Sequence, residues 1–158
     1  MFMKREYVSI SVLVIVIVCV YISPGLYEYL KQQTPSTVCI NGICFVVEVA
    51  TTPESRARGL MFRESMDNDR GMLFIYDQEG IYQFWMKNTL IPLDMIWISE
   101  DKNIVNIKKR AQPCQPGYCP TINPGAEALY VLEINAGFSD RFGFEVGDDV
   151  EINIMLPP

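Results

Sequence analysis

The stretch Glu127-Ala-Leu-Tyr-Val-Leu-Glu-Ile134 carries apolar side chains on both of its alternating faces, Leu129 and Val131 on one and Tyr130 and Leu132 on the other. Successive side chains of a strand point to opposite sides of a sheet, so a segment that is apolar on both is covered on both and lies near the sheet centre. The last such segment, residues 149–155, differs: Val150, Ile152 and Ile154 alternate with Asp149, Glu151 and Asn153. One wet face places it nearer an edge. Five further runs, 43–50, 71–76, 81–87, 93–99 and 103–109, show the same period of two between turn-forming residues. About seven short strands predict a mainly β domain, a compact barrel or sandwich. One short helix is expected after the first of these runs, with Thr52 as N-cap, Pro53 in the first turn and Gly59 closing the end beyond Arg58. A second helical turn is expected over 139–142.

Four cysteines bracket turns within this β region. In Cys39-Ile-Asn-Gly-Ile-Cys44 the Asn41-Gly42 dipeptide is the strongest two-residue hairpin signal, and Ile40 and Ile43 flank it as a hydrogen-bonded pair. Cys39 and Cys44 then face each other at a non-hydrogen-bonded position, close enough for a disulfide. Pro116-Gly117 suits a type II turn and sets Cys114 against Cys119 in the same way. The alternative is a four-cysteine zinc site, though its knuckles are usually tighter, and an oxidising compartment favours disulfides.

That compartment is inferred from the N-terminus. Residues 7–22, YVSISVLVIVIVCVYI, are uncharged and rich in Val and Ile. At 1.5 Å per residue they reach about 24 Å, short of a typical hydrocarbon core, but Lys4 and Arg5 can snorkel at one end while Tyr21, Tyr27 and Tyr29 sit at the other interface. Positive charge precedes the segment, which orients the N-terminus to the cytoplasm and the rest of the chain outside. The expectation is a cytoplasmic stub over 1–6, a single transmembrane signal anchor over 7–22, a polar tether over 23–37 and an extracytoplasmic domain over 38–158. A cleaved leader is the rival, but the end of the run lacks the small-residue pattern of a cleavage site. Cys19 reads as a small hydrophobe within the span.

Composition excludes several kinds of function. The chain has no histidine, which removes Ser-His and Cys-His nucleophile pairs and every His-ligated metal site. A net charge of −6 opposes nucleic-acid binding, and the basic cluster Lys108-Lys109-Arg110 reads as a solvated strand end.

The motifs Arg56-Ala-Arg-Gly-Leu-Met-Phe-Arg63, Gly71-Met-Leu-Phe74, Phe84-Trp-Met-Lys-Asn-Thr89, Pro92-Leu-Asp-Met-Ile96, Tyr130-Val-Leu-Glu-Ile-Asn-Ala-Gly137 and Gly147-Asp148 follow one another in order. In that order they resemble a widespread family known as domain of unknown function one-nine-two, over about residues 38–155. The resemblance implies a compact β-barrel or sandwich with a short helix, exported behind a signal or anchor in bacteria and archaea. It implies no reaction. The Pro113-Cys114 to Cys119-Pro120 stretch shares in the resemblance, whereas the Cys39–Cys44 hairpin is local to this chain.

The densest polar and aromatic cluster is Phe84-Trp-Met-Lys-Asn-Thr89, with Asp94 just beyond. Alternation puts Trp85 and Lys87 on one face and Phe84, Met86 and Asn88 on the other. Arg56, Trp85, Lys87, Asn88 and Asp94 are therefore the candidate ligand-binding residues, for a glycan, peptide or protein of the cell envelope. The structural alternative is that Lys87 and Asp94 form an ion pair, Asn88 caps a turn, and Arg56, Arg58 and Arg63 are helix-face charges. Glu133 is an acid in an otherwise apolar strand, and such acids are normally paired. The leading expectation is a binding or structural module that needs no cofactor and no metal. The alternatives are a carboxylate-dependent hydrolase of envelope glycans, with Asp94 and Glu133 as base and acid, and a zinc-stabilised domain. Met72, Met86 and Met95 read as core filler.

Overall fold

The computed structural model describes residues 35–155. The expected membrane anchor and most of the tether lie outside the described residues. Among the described residues no helix is long and apolar enough to cross a membrane. All the elements below belong to one unit, 35–154.

The Asn41-Gly42 turn forms as expected, with both residues in the left-handed region at φ 51° and 79°. That pairs β1 (Thr37–Ile40) with β2 (Ile43–Ala50), Cys39 opposite Cys44. The chain then forms α1 (Pro53–Arg58), β3 (Arg70–Gly80), β4 (Leu93–Ile98), β5 (Ile104–Ala111), β6 (Ala128–Asn135), α2 (Phe138–Phe142) and β7 (Val150–Asn153). The strands make one sheet in the order β5-β4-β6-β3-β2-β1-β7. All pairs are antiparallel except β2 with β3, which the segment carrying α1 connects as a crossover. β6 lies between β4 and β3, as its two apolar faces require, and β7 is an edge.

The sheet is neither a closed barrel nor a sandwich. It is a curled half-barrel, because its two edges meet only at one corner. There the Ile104 N–H donates to the Asp148 carbonyl (2.9 Å) and the Val150 N–H to the Lys102 carbonyl (2.8 Å). The concave side holds Val38, Ile40, Phe45, Val47, Leu73, Ile96, Ile98, Leu132 and Ile134, joined by Ile104 and Val150 from the two edge strands. Phe138 and Phe142 of α2 add rings around Phe45, with centroids 6.3 and 6.4 Å away. A second core covers the convex side with Phe74, Phe84, Met86, Leu93, Met95, Trp97 and Val131. Both faces of the central strands are thus dry, which accounts for the near-continuous apolar runs of β4 and β6.

Three local expectations need correction. Residues 81–87 form no strand; they cross the convex face as an extended strap, paired only through the bridge of Phe84 with Ile122. The alternation there is real in burial, since Phe84 and Met86 go inward while Trp85 and Lys87 stay out. It arises from lying on a core, not from sheet pairing; the Trp97 indole N–H holds the strap by donating to the Tyr82 carbonyl (2.9 Å). There are two short helices where one was the main expectation. The second, α2, begins one residue before the expected turn. Finally, β1 starts at Thr37, one residue inside the expected tether.

α1 begins where expected, with Thr52 and Ser55 forming a reciprocal capping box and Pro53 in the first turn. Both cysteine pairs close as disulfides, Cys39–Cys44 and Cys114–Cys119, with Cα atoms 4.0 and 4.8 Å apart. The Tyr118 N–H donates to the Gln115 carbonyl (3.0 Å), and Gly117 takes φ 77° as a type II turn requires. Each ring is short, so its effect on the unfolded chain is modest. Replacing Cys39 and Cys44 together by serine is expected to lower stability by about 2 kcal/mol, read as the shift in urea midpoint at constant slope.

Candidate functional site

β6 is central, so an acid on it must be buried whichever way it points. Glu133 points to the convex side, between its register partners Met72 of β3 and Met95 of β4, and is only 4% exposed. Gly71 makes the close packing possible: a Cβ there would stand 2.7 Å from the Glu133 carbonyl oxygen. The Glu133 carboxyl makes no hydrogen bond or ion pair among the described residues. Loss of water raises it to about 8, with no charged neighbour contributing to that shift. It opens instead onto a cavity of about 280 Å³.

The turn after α1 forms one wall of this cavity and the strap over 83–89 another, with Phe74 and Tyr76 of β3 between them. Gly59 leaves α1 at φ 47°, and its missing side chain lets the turn approach the Phe74 ring. The two walls are tied together: Phe62 and Asn88 both adopt left-handed backbone (φ 64° and 55°), and the Phe62 N–H donates to the Asn88 carbonyl (2.8 Å). Arg56 is fixed by donating from Nη1 to the carbonyls of Thr51 and Ile75, with its guanidinium 4.8 Å above the Tyr76 ring. Tyr76, stacked on Tyr82, is pushed up to about 12, by burial first, with Arg56 opposing and Tyr82 and Glu133 adding. Trp85 is 45% exposed at the rim, and the Lys87 ammonium lies 5.1 Å from its ring centroid.

Asp94 has no part in this cavity. It points to the concave side, fully buried, because its neighbours Leu93 and Met95 face the convex core. β5 bulges opposite it, leaving the Arg110 N–H without a partner in the ladder. The Asp94 carboxylate accepts that N–H (2.7 Å) together with those of Gly137 (3.0 Å) and Ser139 (2.8 Å) at the start of α2. Asp94 therefore locks β4, β5 and α2 together. It is not paired with Lys87.

The paired-carboxylate arrangement of a glycosidase is consequently absent, since Asp94 and Glu133 face opposite sides of the sheet. The zinc reading is also corrected: each cysteine is joined to its own turn partner, and among the described residues no three His, Cys, Asp or Glu side chains form a metal cluster. Of the expected ligand residues, Arg56 and Trp85 line the cavity, Lys87 stands over Trp85, and Asn88 holds the rim through its backbone. Arg63 pairs with Glu48, and Lys109 and Arg110 pair with Asp140. Phe74 and Tyr76 of β3 join the lining unannounced. Only the alternation of 71–76, which sets Met72, Phe74 and Tyr76 on one face, hinted at them. A larger cavity, about 530 Å³, lies beside the Cys114–Cys119 turn, but no buried ionisable side chain lines it.

The family described as "Uncharacterized ACR", domain of unknown function 192, matches residues 36–152. Two solved structures are similar. One is a protein of unknown function from Novosphingobium aromaticivorans DSM 12444, 37% identical over 75% of this chain and 84% of that one, with a TM-score of 0.67. The other, described as a candidate transcription regulator from Sinorhizobium meliloti 1021, is 36% identical over 74% of this chain and 91% of its own, also with a TM-score of 0.67. No curated protein matches the chain.

Proposed function

Since the chain belongs to the family of uncharacterised ACR proteins, domain of unknown function 192, for which no reaction is assigned, we propose a function from the cavity itself: a membrane-anchored, extracytoplasmic module that binds a small ligand of the cell envelope. The observation that carries this is Glu133, a buried carboxyl with no partner among the described residues, at the floor of a cavity rimmed by Trp85. An unpaired buried acid costs free energy that a ligand's polar group recovers on binding. An exposed indole offers a flat stacking surface at the mouth. No second carboxylate, nucleophile–base pair or metal cluster accompanies Glu133 among the described residues, which favours binding over catalysis.

The envelope location is supported by the uncharged 7–22 segment behind Lys4 and Arg5, and by the two disulfides. The regulator reading of the Sinorhizobium relative finds no support in this chain, whose net charge is −6 and whose Lys109 and Arg110 share an ion pair with Asp140. The test is thermal shift of the full-length chain in detergent against envelope saccharides, amino acids and short peptides. Stabilisation by a ligand that Trp85→Ala reduces about tenfold in affinity, with the unliganded midpoint unchanged, is the expected result. Uniform lack of stabilisation sinks the binding function. A C-terminal tag shielded from external protease in intact cells sinks the location.

A further inference from the structure

Resting on that binding reading, the polarity of the cavity narrows the ligand class. Its floor is a single acid, its walls are Phe74, Phe84, Tyr76 and Trp85, and among the described residues the charges at its rim are Arg56 and Arg58, with Lys87 over the outer Trp85 ring. We infer that the cavity takes a zwitterion of amino-acid size, its ammonium group set against Glu133 and its carboxylate turned outward to the Arg56–Arg58 side.

Each end has its own argument. At the floor, Glu133 is only 4% exposed, and nothing among the described residues hydrogen-bonds it. A neutral hydroxyl supplies one hydrogen bond, whereas an ammonium supplies a charge-assisted one and converts a desolvated acid into half of a buried ion pair. The aromatic walls add attraction for a cation, since the faces of Phe, Tyr and Trp rings are negative. At the rim, Arg58 forms no ion pair among the described residues, and Arg56 is held rigidly by Thr51, Ile75 and Tyr76. Two arginines at the mouth repel a ligand that is only cationic and attract one with an anionic end. A volume of about 280 Å³ suits a free amino acid and lies below the range for larger ligands.

The charged and titratable groups around Glu133 are few. α1 presents Arg56 and, as its last residue, Arg58 at the rim; β3 presents Tyr76; the strap brings Tyr82, stacked on Tyr76, and Lys87, over Trp85; and the β4 neighbour is the neutral Met95. At neutral pH the empty site holds Glu133 mostly as the acid. Binding then follows Glu133–COOH + R–NH₃⁺ → Glu133–COO⁻···⁺H₃N–R + H⁺, the proton leaving to the buffer. Ligand uptake is therefore linked to proton release at pH 7; above pH 9, where Glu133 is already ionised and the free amino group loses its own proton, the linkage reverses to proton uptake.

The experiment is titration calorimetry of the full-length chain in detergent, with L- and D-phenylalanine and alanine, their amides, their N-acetyl derivatives, glucose and N-acetylglucosamine, each in phosphate and in Tris. The expected result is binding of free amino acids only, with release approaching one proton per ligand at pH 7 and a net uptake of protons at pH 9.5, where Glu133 is ionised and the free amino group is partly deprotonated. Glu133→Gln is expected to lower affinity about 100-fold and to abolish proton release, and Arg58→Ala, on the surface, to lower it about fivefold. Equal binding of the amides and N-acetyl derivatives, unchanged affinity in Arg58→Ala, or binding without proton release overturns the zwitterion. If only the saccharides bind, and Trp85→Ala weakens them, the ligand class falls while the binding module stands. If nothing binds, both fall.

Discussion

Replacing Asp94 with alanine is expected to lower the stability of the domain by about 3–5 kcal/mol, the largest effect of any single polar substitution in this chain. The carboxylate accepts three backbone N–H groups from two separate segments, the bulged Arg110 of β5 and the Gly137–Ser139 start of α2. Alanine leaves all three donors without their acceptor, the part-buried N–H groups of Arg110 and Gly137 and the fully buried one of Ser139. Asp94→Asn is expected to lose about 2–3 kcal/mol, because an amide keeps one acceptor oxygen but turns an NH₂ group toward the remaining donors. Chemical denaturation of the variants checks both figures. Ser139→Ala is the control: the Ser139 hydroxyl is buried without a partner among the described residues, so its removal is expected to be neutral or slightly stabilising. If the Asp94 variants were as stable as the parent, its capping role would be wrong.

Glu133 behaves in the opposite way. Its carboxyl titrates at about 8 in the folded chain against a usual 4.5, so the folded state retains a proton that the unfolded chain has lost throughout that interval. Stability is then full below about pH 4.5 and declines as pH rises towards 8, by roughly 1.4 kcal/mol per unit and on the order of 5 kcal/mol in total. Above 8 both states are ionised and the decline stops. Glu133→Met, which continues the row of Met72 and Met95, is expected to flatten this slope and to stabilise the ligand-free domain at pH 8 by about 2–4 kcal/mol. Melting temperature against pH for both proteins measures it. The acid limb belongs to other groups: Glu48, held low by its hydrogen bonds from Arg63, and Asp140, held low by Lys109 and then Arg110. These lose their charge below pH 4.5, so their effect does not overlap the Glu133 window. A flat profile between pH 5 and 8 in the parent would remove the unpaired acid from the floor of the cavity.

The two acids show how far the chain could be read without its fold. Both stand in apolar strands, and by composition alone they look like a matched pair. Their faces follow from alternation once each strand is fixed, but what approaches each face comes from distant residues. Asp94 meets a bulge 16 residues away and a helix start 43 to 45 residues away. Glu133 meets the empty side of a cavity walled by segments between 56 and 89. The strap over 81–87 carries the same lesson: its alternation reports contact with a core correctly, yet burial periodicity does not say whether a neighbouring strand exists to pair with.

What the sequence determined by itself is everything governed by residues close along the chain. The central placement of β6, the edge placement of β7, the Asn41-Gly42 and Pro116-Gly117 turns with their disulfides, and the capped start of α1 all rest on local backbone preferences and on a period of two. The tertiary structure alone decided that the sheet curls into a half-barrel, that Asp94 is a structural clamp, and that Glu133 faces a cavity without a partner among the described residues. Those outcomes depend on which surfaces meet across long loops, and the free energy of such meetings is shared among residues that carry no mark of one another in the chain.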